Sequence, residues 1–219
     1  NASTFQFGNP QNIDLFFSIY QGVAKDWGYM AKRRGYESAL EMRNQSNDIP
    51  DQAVKTLLST CADNRAVYQN YFRWKAKQLG VEKLRRYDIY APMKNAETIK
   101  IPFQQGLDIV LETLDNFSKG FGDKAREIIN AGHVDSHPYK NKISGAFCST
   151  VSPRIIPYVL LNYTETARDV SVLAHELGHG IHSLYAKHHL CLSHHPCIPL
   201  SETASTLSEM GIFEKLFAD

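Results

Sequence analysis

The chain of 219 residues is 43% hydrophobic and 21% charged, and its 24 basic residues nearly balance its 23 acidic residues. This composition is typical of a soluble globular protein, and a formal net charge of +1 removes the electrostatic reason to expect a nucleic-acid partner or an anionic membrane surface. No apolar run reaches the roughly 18 residues of a membrane-spanning helix, and no signal peptide is visible. The four cysteines are too few for a disulfide-built scaffold, which favours a reducing, cytoplasmic setting with Cys61 and Cys148 as small buried side chains.

The first half of the chain carries helical periodicity. Apolar residues recur at intervals of three and four from Ile13 to Met30, after Asn9-Pro10, which can serve as N-cap and first-turn proline. Residues 53–58, 65–79 and 106–117 repeat the pattern, and glycines at 80 and 120 are placed as C-terminal stops. We interpret the aromatic stripe of residues 68–74 as core and not as a stacking platform for bases.

The second half begins with a different pattern. Between residues 139 and 163, glycine and prolines punctuate two short apolar runs, 146–148 and 158–161, which predict strands of a small sheet. Helical periodicity resumes over 170–186 and 202–217. Because no repeat or flexible linker forces a boundary, we predict a single unit, 1–219, with a helical part at 1–138 and the sheet and last two helices at 139–219. The predicted fold class is mainly α with a small β-sheet.

A motif within the first of these last two helices carries chemistry. The sequence is His175-Glu176-Leu177-Gly178-His179, in which the two histidines lie four residues, or about 6 Å, apart on one helix face. Their imidazoles can converge on one zinc ion. Glu176 projects about 100° round the helix from His175, beside the metal, which suits a general base acting on a water that the metal activates.

Catalytic zinc usually takes three protein ligands and leaves a fourth position open. His182 lies on the same stripe, but about 10.5 Å from His175 along the axis, too far for both to bind one ion. Glu202, which opens the next helical segment, is therefore our preferred third ligand. Glu209, seven residues later on nearly the same face, either accepts the outer N–H of a ligand histidine or is an ordinary solvated charge.

Other interpretations stay open. The connection between the two helices contains His188, His189, Cys191, His194, His195 and Cys197, which have the atoms for a closed structural zinc site but lack paired C-x-x-C spacing. A flexible loop beside the active cleft is the preferred interpretation. The alternatives are a non-catalytic zinc module built on this connection and a helical interaction fragment whose H-E-x-x-H is incidental. Gly178 and Gly180, unfavourable in a helix, indicate either close approach of the neighbouring helix or ordinary tight packing.

These residues resemble the oligoendopeptidase F branch of the thimet oligopeptidase family. The resemblance lies in 175–182 (His-Glu-Leu-Gly-His-Gly-Ile-His) and 200–205 (Leu-Ser-Glu-Thr-Ala-Ser). It extends to 87–92 (Tyr-Asp-Ile-Tyr-Ala-Pro), 145–148 (Gly-Ala-Phe-Cys) and 157–163 (Pro-Tyr-Val-Leu-Leu-Asn-Tyr). The resemblance implies a zincin-like catalytic core of an oligopeptidase that cuts short peptides in a deep channel.

The family pattern, carried over residue by residue, implies one zinc ion bound by His175, His179 and Glu202, with Glu176 as general base. It also implies that a strand near Gly145, Ala146 and Phe147 lines the cleft and pairs with the substrate backbone. The oligopeptide is the expected partner.

Length is the departure from the family pattern. Family members are much longer, and a C-terminal region supplies a histidine and tyrosines that stabilise the developing oxyanion. The chain begins at Asn1 without an initiator Met and ends at Asp219, so it looks like a fragment of a longer member. Since losing such donors raises the barrier by about 2.7 to 4 kcal/mol each, we expect the chain to bind zinc but to turn over peptides slowly.

Overall fold

The computed structural model describes residues 12–92 and 99–218, and it confirms a mainly α fold with a small β-sheet. The helices within the described residues are α1 (Ile13–Arg33), α2 (Ala39–Ser46), α3 (Asp51–Asp63), α4 (Arg65–Leu79), α5 (Phe103–Phe117), α6 (Lys119–Asn130), α7 (Ala167–Tyr185) and α8 (Ile198–Ala218). The strands are β1 (Val134–Asp135), β2 (Phe147–Ser149) and β3 (Tyr158–Leu160). None of the described helices combines the length and the apolar character that crossing a bilayer requires.

Several predicted ends differ from the structure. Gly80 ends α4 in a left-handed conformation (φ 71°), as its position predicts, whereas Gly120 lies inside α6 and stops no helix. The break before Gly120 is made by Ser118, whose extended backbone separates α5 from α6. α8 begins at Ile198, before Glu202, and the predicted N-cap Asn9-Pro10 lies outside the described residues.

The chain divides into two compact units, Asn1–Ala96 and Glu97–Asp219, whereas the sequence predicts one unit whose helical part extends to residue 138. The physical reason is hydrophobic packing. α5 and α6 bury their apolar faces in the same core as α7 and the sheet, so these two helices belong to the second unit. The single unit predicted for 1–219 therefore differs from this division.

In the first unit, each of the four helices contacts the next along the chain. The prediction that the α4 aromatic stripe is core is wrong, because Tyr68 is 59% and Trp74 50% exposed. The buried positions of α4 are instead Lys75 and Ala76, and the Lys75 ammonium donates to the carbonyl of Ile89. Cys61 is also exposed, against the prediction of a buried side chain.

The second unit contains one continuous hydrophobic core. α7 runs through it, with Leu173, Leu177 and Ile181 almost entirely buried. The other core residues, contributed by α7 itself, by α5, α6, α8 and β3 and by the adjoining segments, are Ile101, Leu107, Val110, Leu114, Ala125, Ile128, Val159, Leu161, Tyr163, Val170, Ala174, Leu184 and Ile212. Burial of these side chains, worth roughly 1.5–3 kcal/mol for each large one, holds α7 in place.

The sheet has the strand order β1-β3-β2. β1 pairs with β3 in parallel, and β2 pairs with β3 antiparallel, with Cys148 opposite Val159. β2 is therefore an edge strand, and it also contacts α7.

A capping box starts α7. Thr166 accepts a hydrogen bond from the Asp169 backbone N–H, and the Asp169 carboxylate accepts one from the Thr166 N–H. Burial raises the pKa of Asp169, but hydrogen bonds from Thr166 and Thr164 outweigh it and hold that pKa below its ordinary value. The site-bearing helix thus begins at a well-defined residue.

Candidate active site

His175 and His179 lie one turn apart on the same face of α7. Their ring centroids are 5.0 Å apart and the rings meet edge to face. Both side chains are mostly buried, and both imidazoles line the wall of the same cavity. This is the geometry expected of histidines spaced four residues apart in a helix.

α8 brings Glu202 to the two imidazoles. One carboxylate oxygen, Oε2, lies 3.4 Å from His175 Nε2 and 3.7 Å from His179 Nε2. The hydroxyl of the buried Ser205 donates to the same oxygen at 3.0 Å and also to the Glu202 carbonyl. A residue one turn along α8 therefore restrains the carboxylate.

The three donor atoms fit a divalent metal. They lie within 4.8 Å of one another, and donors on a tetrahedral zinc with bonds of about 2.0–2.1 Å lie roughly 3.3 Å apart. His175 Nδ1 lies 3.2 Å from Glu209 Oε2 and donates its proton there, which leaves Nε2 with a lone pair. Ser201 Oγ lies 3.2 Å from His179 Nδ1, as Glu209 Oε2 does from His175 Nδ1.

Protonation also favours metal binding at His179. Burial lowers the pKa of His179 below its ordinary value, although the nearby Glu202 opposes this effect. The imidazole is therefore neutral near pH 7, which is the form that coordinates a metal.

Glu176 is the most buried carboxylate of the site, with 7% of its surface exposed. Burial raises the pKa of Glu176 above its ordinary value, an effect that Glu202 adds to and that His175 and the Cys148 backbone N–H oppose. The Cys148 thiol lies in the same cavity wall, where burial raises its pKa to about 12. This thiol is therefore protonated at neutral pH and is no nucleophile.

Two cavities adjoin these residues. One, of about 590 Å³, is lined by the three potential metal ligands, and a second, of about 540 Å³, shares Ala146, His175 and Glu176 with it. Of the residues expected to bind substrate, Phe147 lines the first cavity and Gly145 the second. The structure thus brings the edge strand β2 and the H-E-x-x-H helix to one cleft.

The two helical glycines have different structural roles. A Cβ at Gly178 would lie 2.8 Å from Ala204 O and from Ser205 Cα, so glycine permits the close approach of α8. A Cβ at Gly180 would instead meet the end of the Ile128 side chain at 2.5 Å, which is core packing on α6. Both alternatives drawn from the sequence therefore apply, one to each glycine.

The connection between α7 and α8 contributes side chains to the cavity; the sequence predicted a loop beside the cleft with histidines near the substrate but did not say which histidines. His194 and His195, with His182 of α7, line the first cavity. Cys191 and Cys197 are free thiols, and among residues 12–92 and 99–218 no other group of three donors lies close enough to bind an ion. Ser201 and Ser205 were also missed, since two serines four residues apart carry no distinctive pattern.

A mostly helical fold with two histidines and a glutamate converging from adjacent helices defines the class of proteins in which an H-E-x-x-H helix binds a catalytic metal. The sequence profile of peptidase family M3 matches residues 8–218, so the chain belongs to this family. An oligoendopeptidase F homolog of Borreliella burgdorferi is 31% identical over 191 residues, which are 86% of this chain and 32% of that protein. Oligopeptidase PepF of Bacillus subtilis is 26% identical over 196 residues, 89% of this chain and 29% of that protein.

Solved structures agree in fold. A crystal structure described as that of a peptidase from Chlamydophila abortus superposes with a TM-score of 0.70 at 33% identity, covering 91% of this chain and 33% of that one. PZ peptidase A, solved with an inhibitor, gives a TM-score of 0.76 at 20% identity, covering 91% of this chain and 36% of that one. The chain spans about a third of the length of the curated relatives that it matches.

Proposed function

We propose that the protein containing this chain is a zinc-dependent endopeptidase that hydrolyses short oligopeptides. Membership of peptidase family M3 supports the reaction class, and the names of the relatives support the substrate class. The observation that carries the proposal is the convergence of His175, His179 and Glu202 within 4.8 Å of one another beside the buried Glu176.

In this proposal His175, His179 and Glu202 hold one zinc ion. The bound ion supplies Lewis-acid chemistry, since it polarises a peptide carbonyl and lowers the pKa of water. Glu209 is the residue that orients His175, because its carboxylate accepts a hydrogen bond from Nδ1–H and so keeps Nε2 available.

Glu176 is the general base of the proposed reaction. Its carboxylate takes a proton from the attacking water and returns it to the amine that leaves when the peptide bond breaks. The burial that raises its pKa supports this assignment, because a carboxyl group that both accepts and releases a proton works best when its pKa lies closer to neutrality.

The edge strand β2 and the residue before it are the proposed substrate platform. An extended peptide can add to a free strand edge through its backbone, and Gly145, Ala146 and Phe147 line the two cavities at this edge. The scissile bond of a peptide bound there would lie next to Glu176, with which Ala146 shares both cavities.

Metal analysis and peptidase assays test the proposal on the full-length protein. Glu176→Gln should retain one zinc per chain and lose hydrolysis, whereas Glu202→Ala should lose zinc during dialysis. Glu214→Gln, an exposed position on α8, is the matched control and should keep both. An unchanged rate in Glu176→Gln would remove Glu176 as the base.

Other expectations stay predictions. They are slow turnover by the 219-residue chain, a cytoplasmic location, and the absence of nucleic-acid and membrane partners. Turnover by the chain assayed beside the full-length protein tests the first, and equal rates would contradict it.

A further inference from the structure

His194 has a buried polar atom without a partner. Only 4% of this residue is exposed, and its ring contributes to the wall of the 590 Å³ cavity. Its Nε2 lies 3.2 Å from the carbonyl oxygen of Ser183, whereas its Nδ1 has no hydrogen-bond partner among the described residues. Buried polar atoms without partners are rare in folded proteins and point to a ligand or an ordered water.

The contact between His194 Nε2 and the Ser183 carbonyl determines whether Nδ1 of the same ring donates or accepts a hydrogen bond. A carbonyl oxygen only accepts hydrogen bonds, so Nε2 of His194 carries the ring proton. In the neutral ring Nδ1 is then an acceptor, and it requires a donor from outside the described residues. A carboxylate offers no proton to the acceptor nitrogen of a neutral ring, whereas an amide N–H or a hydroxyl does.

Two further histidines belong to the same end of the cavity. His182 lies three residues after His179 on α7, which places it about 4.5 Å further along the helix axis, a little more than one residue of an extended peptide at about 3.3 Å. The His195 ring centroid lies 5.4 Å from that of His194. The side chains of His182 and His195 make no hydrogen bond within the described part of the chain, so both can adjust to a ligand.

This end of the cavity is not a second metal site. Within residues 12–92 and 99–218 the donors that lie close enough to share an ion are those of His175, His179 and Glu202. A substrate group is the better occupant, because the same cavity contains Glu176 and the edge strand β2.

We propose that His182, His194 and His195 form a side-chain subsite next to the scissile bond that selects an uncharged hydrogen-bond donor on the substrate. The inference rests on the proposed peptidase function. Nδ1 of His194 accepts from the donor. Because Nδ1 has almost no accessible surface, neighbouring side chains such as His195, whose ring centroid is 5.4 Å from that of His194, must shift to admit the donor. Asparagine and glutamine side chains have the required N–H, and glutamate and methionine of similar size do not.

The test uses zinc-loaded full-length protein and peptides that carry Gln, Glu or Met at each position flanking the cleaved bond. We expect kcat/KM for the preferred Gln peptide to exceed that of its Glu and Met counterparts by about 3- to 10-fold, the range of one net hydrogen bond. His194→Phe should abolish this preference while still cleaving the Met peptide. His189→Ala, on the same connection but outside the cavity wall, is the matched control and should retain the preference.

A second variant and a binding measurement keep the test decisive if His194→Phe does not fold. His195→Trp, at an exposed position, should fill the subsite and remove the Gln preference. Calorimetric titration of the Glu176→Gln variant with the same peptides should show the same order of Kd values. Cleavage with no Gln preference, or a preference that survives both substitutions, would overturn the subsite, whereas no cleavage of any peptide by the wild type would overturn the proposed function itself.

Discussion

Replacing Gly178 with alanine perturbs the contact that brings Glu202 to the two imidazoles. The new Cβ would lie 2.8 Å from Ala204 O, Ser205 Cα and Ser208 Oγ. The first two of these atoms belong to the α8 backbone, which cannot rotate away as a side chain can. To reach an ordinary contact of 3.4 Å from 2.8 Å, α8 must move by about 0.6 Å.

The displacement sets the expected magnitudes. Alanine gains about 1 kcal/mol over glycine in helix propensity, and overpacking costs about 1–3 kcal/mol, so the free energy of unfolding should fall by about 0–2 kcal/mol. Metal affinity should suffer more, because ligand distances tolerate only about 0.2 Å. We expect about a 10- to 100-fold increase in the zinc Kd, the range found when a supporting contact is lost.

The assay is competition for zinc with a chromophoric chelator, together with thermal unfolding. Gly180→Ala is the matched control on the same helix, because the close contact of its Cβ is with the flexible end of the Ile128 side chain and not with the α8 backbone, and it should leave the zinc Kd unchanged. Gly28→Ala, with nothing within 4 Å of its Cβ, should raise the free energy of unfolding by about 0.5–1 kcal/mol. If Gly178→Ala bound zinc as tightly as wild type and gained stability as Gly28→Ala does, the proposed role of the close contact would be refuted.

Two further predictions concern charges that support α7. Glu209→Gln should raise the zinc Kd by about 10-fold, because a neutral amide accepts the hydrogen bond from His175 Nδ1–H less strongly than a carboxylate does. The control is Glu214→Gln in the same chelator assay, and equal Kd values for the two variants would contradict this role of Glu209. Asp169→Asn should lower the free energy of unfolding by about 1 kcal/mol at pH 7 through loss of the capping box. Since the pKa of Asp169 is held below its ordinary value, its contribution to the free energy of unfolding is present above about pH 4 and is lost as the pH falls. Chemical unfolding measured between about pH 6 and pH 3 should therefore show the free energies of unfolding of wild type and variant converging. A difference that stays constant with pH would exclude this linkage.

Local patterns predicted the long elements well. The bounds of α4 and α7 lie close to those expected, at 65–79 and 170–186. α2 and the two-residue strand β1 were missed, because short elements carry too few residues for a periodic pattern. α6 was missed although it has 12 residues and one amphipathic face. The aromatic residues of α4 show the limit of such reasoning, since an amphipathic stripe predicts a helix face but does not say whether anything covers it.

The division into two units was not visible in the sequence for a related reason. Periodicity describes α5 and α6 as helices, but only long-range packing of Val110 and Ile128 against α7 assigns them to the second unit. The partner of an apolar face is a property of the folded chain.

The amino-acid sequence by itself determined which residues are candidates for the metal site, because the spacing of His175 and His179 follows from the 3.6-residue helical repeat, and Glu202 follows from the need for a third donor. Tertiary structure alone decided how the site is supported. The Ser205 hydroxyl restrains the Glu202 carboxylate, and the absence of a Cβ at Gly178 lets α8 approach α7. Nδ1 of His194 is buried without a hydrogen-bond partner among the described residues. These contacts join residues from different elements, and their distances depend on how α7 and α8 pack, which no local spacing encodes.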